Sequence, residues 1–430
     1  MRIDYLFSTT LFFLFANTSI LFAQVKAAYF GELIDGQGKK IVHAVVIINA
    51  DRIISVGAEK DIPVPANAEK IDLRSYTAIP GLIDAHTHIT YYWDKTVGGT
   101  PWGQLGSPGP IMTVFMAQEN ARKTLETGVT TVRDLGSFDN MDIAMKILIL
   151  TGRMKGPRMF VACNGLHISN RPFKFGAVPE AGQCDGVAEV QRVARQQLAS
   201  GADWIKMYGS TGSDQDVTGF QTFSFEEMKA AADVAHYAGK RIAIHSYGPD
   251  GARDAVKAGT NTIEHAVDID DLTLAEMARK GIIYVPTVDH NRYYIAHKDE
   301  YGYGAAIANS LNTYIEKNFE TLKRAIKANV KIAMGSDAVF TGFGENTREL
   351  EWFVKAGMTP EQALRTATTT GAEMLGMEKD LGAIAPGYYA DIVAVQGDPL
   401  KDINIIINNV KWVMKAGKVE IDKTKSTISK

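Results

Sequence analysis

Six residues of this 430-residue chain carry side chains that bind divalent metals or move protons, and each ends a short apolar run: His86, His88, Lys206, His245, His265 and Asp337. The order His-X-His, Lys, His, His, Asp is what a two-metal hydrolytic centre needs from a barrel of parallel strands. His86 and His88 stand two apart in one run, which sends both imidazoles to the same strand face and lets them take adjacent positions on one ion. His245 closes RIAIH and His265 closes NTIEH, so two consecutive strands end in the same ligand type. Asp337 ends KIAMGSD; an aspartate after a strand often only caps a helix, but here it completes a His/carboxylate set suited to zinc.

Lys206 constrains the chemistry most. A protonated lysine about 5 Å from a divalent ion is repelled by roughly 7 kcal/mol at an effective dielectric near 20. Its side chain therefore either points elsewhere or is modified, and carbamylation by carbon dioxide would make it an anionic bridging ligand, attractive to both ions.

Such groups need a frame, and residues 79–384 supply its pattern. Helical stretches alternate with apolar runs near 80–88, 129–134, 158–163, 202–208, 241–246, 261–265, 282–287 and 331–336. Gly128, Gly201, Gly239, Gly259 and Gly281 each precede such a run, as the left-handed stop of the helix before it would. Ser224 with Glu227 and Thr359 with Gln362 read as capping boxes that start helices. Eight alternating units predict an α/β fold, a (β/α)8 TIM barrel, with catalytic groups at the C-terminal ends of the strands. No glycine-rich dinucleotide loop follows the first strand. Residues 24–78 and 385–425 read instead as short strands and turns, with Asn49-Ala50-Asp51 as a hairpin turn, and predict a small β-sandwich domain formed by both chain ends.

Residues 1–23 form a Met-Arg start and an apolar stretch ending at Ala23, which predicts a signal peptide and an exported, periplasmic or secreted, protein with no membrane attachment after cleavage. The chain has 46% hydrophobic and 22% charged residues, as a globular protein with a sizeable core does. With 46 basic against 49 acidic residues and a net charge of -3, nothing favours nucleic acid or an anionic membrane as partner; a small-molecule substrate is expected, and self-association stays open. Cys163 and Cys184 are the two cysteines, and in an oxidising compartment they have the option of pairing.

The stretches PGLIDAHTH, GADWIKMYGSTG, IAIHSYG, TIEHA and MGSDA resemble the amidohydrolase superfamily, in its imidazolonepropionase-like branch with zinc-dependent Xaa-Pro dipeptidases and carboxypeptidases. The resemblance covers nearly all of the chain after Ala23. It implies two zinc ions: His86, His88 and Asp337 on one, His245 and His265 on the other, with carbamylated Lys206 and a hydroxide bridging. It also implies Asp337 as the catalytic proton carrier. Relatives often carry Thr-Gly-Gly-His after the third strand, where this chain reads CNGLHISNRPFKFG with His167 placed earlier. Loops after strands build the substrate pocket, and here they also hold Tyr208, Tyr247, His290, Arg292 and Tyr293, each suited to grip a carboxylate or carbonyl. The expected reaction is hydrolysis of an amide in a small substrate, a dipeptide or N-acyl amino acid. The alternatives are a lactone, ester, phosphotriester or cyclic amide on the same centre, and, more remotely, a non-catalytic metal-binding protein.

Overall fold

A computed structural model describes residues 24–96, 99–105, 109–169, 180–213 and 215–424. The expected signal segment, residues 1–23, and much of the loop after His167 lie outside them. Strands β1 (Lys26–Ile34), β2 (Lys40–Asn49), β3 (Arg52–Ala58) and β4 (Glu69–Pro80) come first. Seven shorter strands follow: β5 (Leu82–Thr87), β6 (Val129–Asp134), β7 (Arg158–Val161), β8 (Trp204–Tyr208), β9 (Arg241–Ser246), β10 (Thr262–His265) and β11 (Ile283–Val285). The last strands are β12 (Ile392–Val395), β13 (Val410–Lys415) and β14 (Lys418–Asp422).

Both chain ends meet in one seven-stranded sheet of order β14-β13-β12-β4-β1-β2-β3. Ala50, at φ 51°, makes the turn between β2 and β3 at the expected Asn49–Asp51 hairpin. Phe30 on β1 and Trp412 on β13 lie three strand spacings apart, about 14 Å in a flat sheet. Their ring centroids are only 6.4 Å apart, so the sheet curls over a core that includes Phe30, Ile48, Ile392 and Trp412. One continuous sheet thereby encloses a sandwich-like core.

β5-β6-β7 and β8-β9-β10-β11 are parallel arcs of the barrel. Leu166 joins β7 to β8: its N–H donates to Lys206 O (2.8 Å) and its carbonyl accepts from Tyr208 N–H (2.9 Å). The eighth predicted run is an extended segment bridged on both sides rather than a regular strand. Tyr284 N–H donates to Lys331 O (2.9 Å), and Ala85 N–H donates to Met334 O (2.7 Å), closing the ring. Gly335 explains the irregularity: a Cβ there would lie 2.4 Å from Val285 Cγ1 and 2.9 Å from His86 Cβ, so the segment crosses too close to its neighbours for a side chain.

The helices wrap the barrel as their patterning requires. The longest, Ala305–Lys327, buries Leu311, Tyr314, Asn318, Leu322 and Ala325 at three- and four-residue spacings. Burying each large apolar side chain among these stabilises by about 1.5–3 kcal/mol. Gly201 and Gly259 stop their helices in the left-handed conformation, and Ser224 and Thr359 form the expected capping boxes. Cys163 and Cys184 are both buried free thiols, so the pairing left open by the sequence does not form. Among the described residues no helix is long and apolar enough to cross a membrane.

Candidate metal centre and active site

His86, His88, Lys206, His245, His265 and Asp337 all line one cavity at the C-terminal ends of the barrel strands. Every one is buried, and Lys206 is 1% exposed. His265 (φ 72°) and Asp337 (φ 50°) hold left-handed backbone, an unfavourable conformation for side-chain-bearing residues; it is the kind of local strain that a functional site retains.

Hydrogen-bond partners fix which imidazole nitrogens carry protons. Burial alone would raise the Glu264 carboxyl, but the Arg133 guanidinium and His86 overcome this and hold it down at about 2, so it is an anion that can only accept. His86 Nδ1, 2.8 Å from Glu264 Oε2, is therefore the donor, and its Nε2 presents a lone pair. His88 Nδ1 donates likewise to Gly136 O (3.1 Å). Both Nε2 atoms then face the same oxygen, Asp337 Oδ1, at 3.5 Å from His86 and 3.3 Å from His88. Burial lowers the His86 pKa to about 4, so that ring is neutral near pH 7, and the Asp337 carboxyl lies well below its usual range. Two ring nitrogens and a carboxylate oxygen converging on one point form a ligand set for a cation, and the cationic group that the chain itself brings there is Lys206, whose Nζ lies 3.5 Å from His86 Nε2. The ligand atoms of His86, His88 and Asp337 lie within 4.8 Å of one another, the spacing of a three-ligand metal site.

The remaining ligands sit beside this trio. The His265 ring centroid is 4.9 Å from that of His86 and 4.6 Å from that of His245. His265 Nδ1 is held by Thr287 Oγ1 at 2.7 Å. His245 Nε2 is buried with no hydrogen-bond partner, and burial pushes that imidazole well below its usual range, which leaves a neutral nitrogen free for an ion. Lys206 Nζ lies 3.5 Å from His86 Nε2, so the lysine points into the centre and not away from it. Burial lowers its pKa to about 8, so roughly a tenth of the amine is uncharged at pH 7, far more than for an ordinary lysine. His86, His88 and Asp337 fit one divalent cation, and His245, His265 and Lys206 stand beside that trio.

Four of the six expected substrate contacts line the cavity: His167, Tyr208, Tyr247 and His290. His290 Nε2 is 3.4 Å from Asp337 Oδ2, and His167 Nδ1 donates to Gly165 O at 3.1 Å. Arg292 does not line this cavity, and Tyr293 lines a smaller adjoining one shared with His290 and Asp337. Arg292 forms ion pairs with Asp289 and Glu345, both at 2.8 Å, and Tyr293 hydrogen-bonds Thr341. His290, Arg292 and Tyr293 stand on the helix Val288–Ala296, where His290 and Tyr294, four apart, share the face toward the main cavity and Tyr293, three from His290, faces the adjoining one.

Sequence reasoning missed the groups behind the ligands. Arg133 and Glu264 are fully buried inside the barrel, 2.8 Å apart, and Arg133 also donates to Ala85 O (2.6 Å) and Thr262 Oγ1 (2.9 Å). Asp84 accepts from Ser336 Oγ (2.6 Å) and Asn346 Nδ2 (3.0 Å), pinning the turn that presents Asp337. The available signal was a charge inside each of the apolar runs VTTVRD, NTIEH and GLIDAH, since a buried charge requires a partner.

Comparison with known proteins agrees with this geometry. The amidohydrolase family pattern matches residues 77–419. The chain is 30% identical to the ochratoxinase of Aspergillus niger over 430 aligned positions, covering 92% of this chain and 87% of that protein. In structure it is similar to a Xaa-Pro dipeptidase crystallised with methionine in its active site (29% identity, TM-score 0.83, 92% of this chain and 99% of that one). A prolidase complexed with N-methylphosphonate-L-proline matches equally well, at 28% identity, TM-score 0.83 and the same coverage.

Proposed function

The chain belongs to the amidohydrolase family and is a hydrolase of amide bonds, and on that premise we propose that it cleaves a dipeptide or N-acyl amino acid at a two-zinc centre. The observation that carries this reading is the convergence of His86 Nε2, His88 Nε2 and Asp337 Oδ1 within reach of one ion, beside the unpartnered His245 Nε2. The similarity to a Xaa-Pro dipeptidase and a prolidase supports a peptide-like amide. Export after removal of residues 1–23 belongs to the same proposal.

Zinc bound here supplies a water acidified toward neutral pH and an electrophile for the substrate carbonyl. The protein's own groups do the rest. His86, His88, His245 and His265 would offer ring nitrogens to the ions. Lys206 Nζ, as its carbamate, would offer the ions an anion in place of a repulsive cation. Asp337 takes the proton of the attacking water on a carboxylate oxygen and returns it to the departing amine nitrogen, a base and then an acid. His290, 3.4 Å from Asp337 Oδ2, is placed to steady that carboxylate as its charge changes.

The test is metal analysis with turnover on one sample. Protein reconstituted with zinc and bicarbonate should hold two ions per chain and release free amino acid from such substrates. Two ions with hydrolysis only of esters or lactones would move the assignment to those bonds.

A further inference from the structure

The cavity is not uniform around its mouth. Next to His88, the walls are aromatic. Tyr91 stacks on the His88 ring at 4.7 Å, and Phe138 stacks on Tyr91 at 5.5 Å with planes 8° apart. Trp102 stands edge-on to Tyr91 at 6.5 Å and is backed at 4.9 Å by Phe340, which is fully buried. Phe340 joins Trp93, Tyr301 and Tyr303 in an aromatic cluster behind this wall, so the wall is braced rather than loose.

Further round, after β8, the lining changes to the hydroxyl-bearing Ser210, Thr211 and Thr222. Gly212 lets that loop lie against Tyr247, because a Cβ there would sit 2.3 Å from the ring's Cγ. A substrate whose amide lies over Asp337 therefore meets flat apolar rings on the His88 side and hydroxyls on the other. Phe138 and Trp102 are half-buried and line the cavity, so their remaining surface is turned toward what occupies it.

Resting on the amide-hydrolase reading, we propose that Trp102 and Phe138, braced by the buried Tyr91, form a subsite for a planar aromatic ring of the substrate, on the side of the scissile bond nearest His88. Offset stacking and edge contacts with these rings favour an aryl group over a small aliphatic one beyond what its area alone gives. Specificity then lies in the loops after β5 and β6, not in the ligands.

The test is calorimetric binding of benzylphosphonate against methylphosphonate to the full-length, zinc-loaded protein, followed by kcat/KM for N-benzoyl- and N-acetylalanine and for N-acetylphenylalanine and N-acetylalanine. Benzylphosphonate should bind at least about tenfold tighter than methylphosphonate. One of the two aryl amides should outpace its small counterpart by a similar factor. Phe138→Ala and Trp102→Ala should each reduce those ratios several-fold. Phe138→Leu, which keeps apolar bulk and removes stacking, should reduce them too. Equal phosphonate affinities, or ratios untouched in all three variants, overturn the subsite while leaving amide hydrolysis standing. Aryl-selective binding without any amide turnover supports the subsite and counts against the hydrolase reading.

Discussion

Glu264 Oε2 holds His86 Nδ1 at 2.8 Å while Glu264 Oε1 is held by Arg133 at 2.8 Å, so a metal-ligand candidate is oriented by an ion pair buried in the barrel interior. Through this relay a guanidinium on β6 determines which nitrogen of His86 faces Asp337. Glu264→Gln keeps an acceptor but removes the anion and leaves Arg133 uncompensated. Zinc affinity is expected to fall about 10–100-fold by chelator competition, and stability by about 3–5 kcal/mol in urea. Unchanged zinc affinity would show that His86 does not depend on Glu264.

Lys206→Ala removes the only lysine lining the cavity among the described residues. It is expected to lower zinc content from two ions to one or none, with partial rescue of turnover by a short carboxylic acid occupying the vacated space. Full two-metal occupancy in the variant would exclude a bridging role.

Burial raises the Glu349 carboxyl from 4.5 to about 8, although both its oxygens accept backbone N–H groups, from Val288 (2.9 Å) and Asp289 (2.8 Å). The folded state therefore holds a proton that the unfolded chain releases above about pH 4.5. Stability from this group is full below 4.5 and is lost as pH rises through about 8, at no more than roughly 1.4 kcal/mol per pH unit. Asp84 and Asp142, also raised to about 6 by burial, act with the same sign, so the comparison that isolates Glu349 is wild type against Glu349→Gln. Urea midpoints measured from pH 5 to 8.5 should converge toward, then fall relative to, the variant as pH rises, apart from a pH-independent offset. Parallel curves would place the Glu349 pKa near its ordinary value.

Three strand ends, those at Lys206, His245 and His265, were legible because two signals coincide there: a glycine stop before the run and a ligand at its end. Gly201 before Lys206 and Gly259 before His265 illustrate both. Four cavity contacts were also legible, since His167, Tyr208 and Tyr247 closely follow strands and His290 opens a helix at the mouth. Arg292 lies outside the main cavity and Tyr293 in the adjoining one, because proximity in sequence says nothing of helix face. Arg133 and Glu264 stayed hidden because their pairing joins strands 131 residues apart. The aromatic subsite was unreadable for the same reason: Tyr91, Trp102, Phe138 and Phe340 come from three separate loops, and only the closed barrel brings them together.

The most direct test of the account is turnover of a dipeptide and N-acyl amino acid panel by the zinc-loaded protein beside Asp337→Asn. Wild type should release free amino acid, while the variant, still holding metal, should lose about 10²–10⁴-fold in kcat. Near-normal turnover by metal-replete Asp337→Asn would contradict the proton-carrying role. Silence of wild type across the panel, with two zinc ions confirmed per chain, would contradict the proposed substrate class.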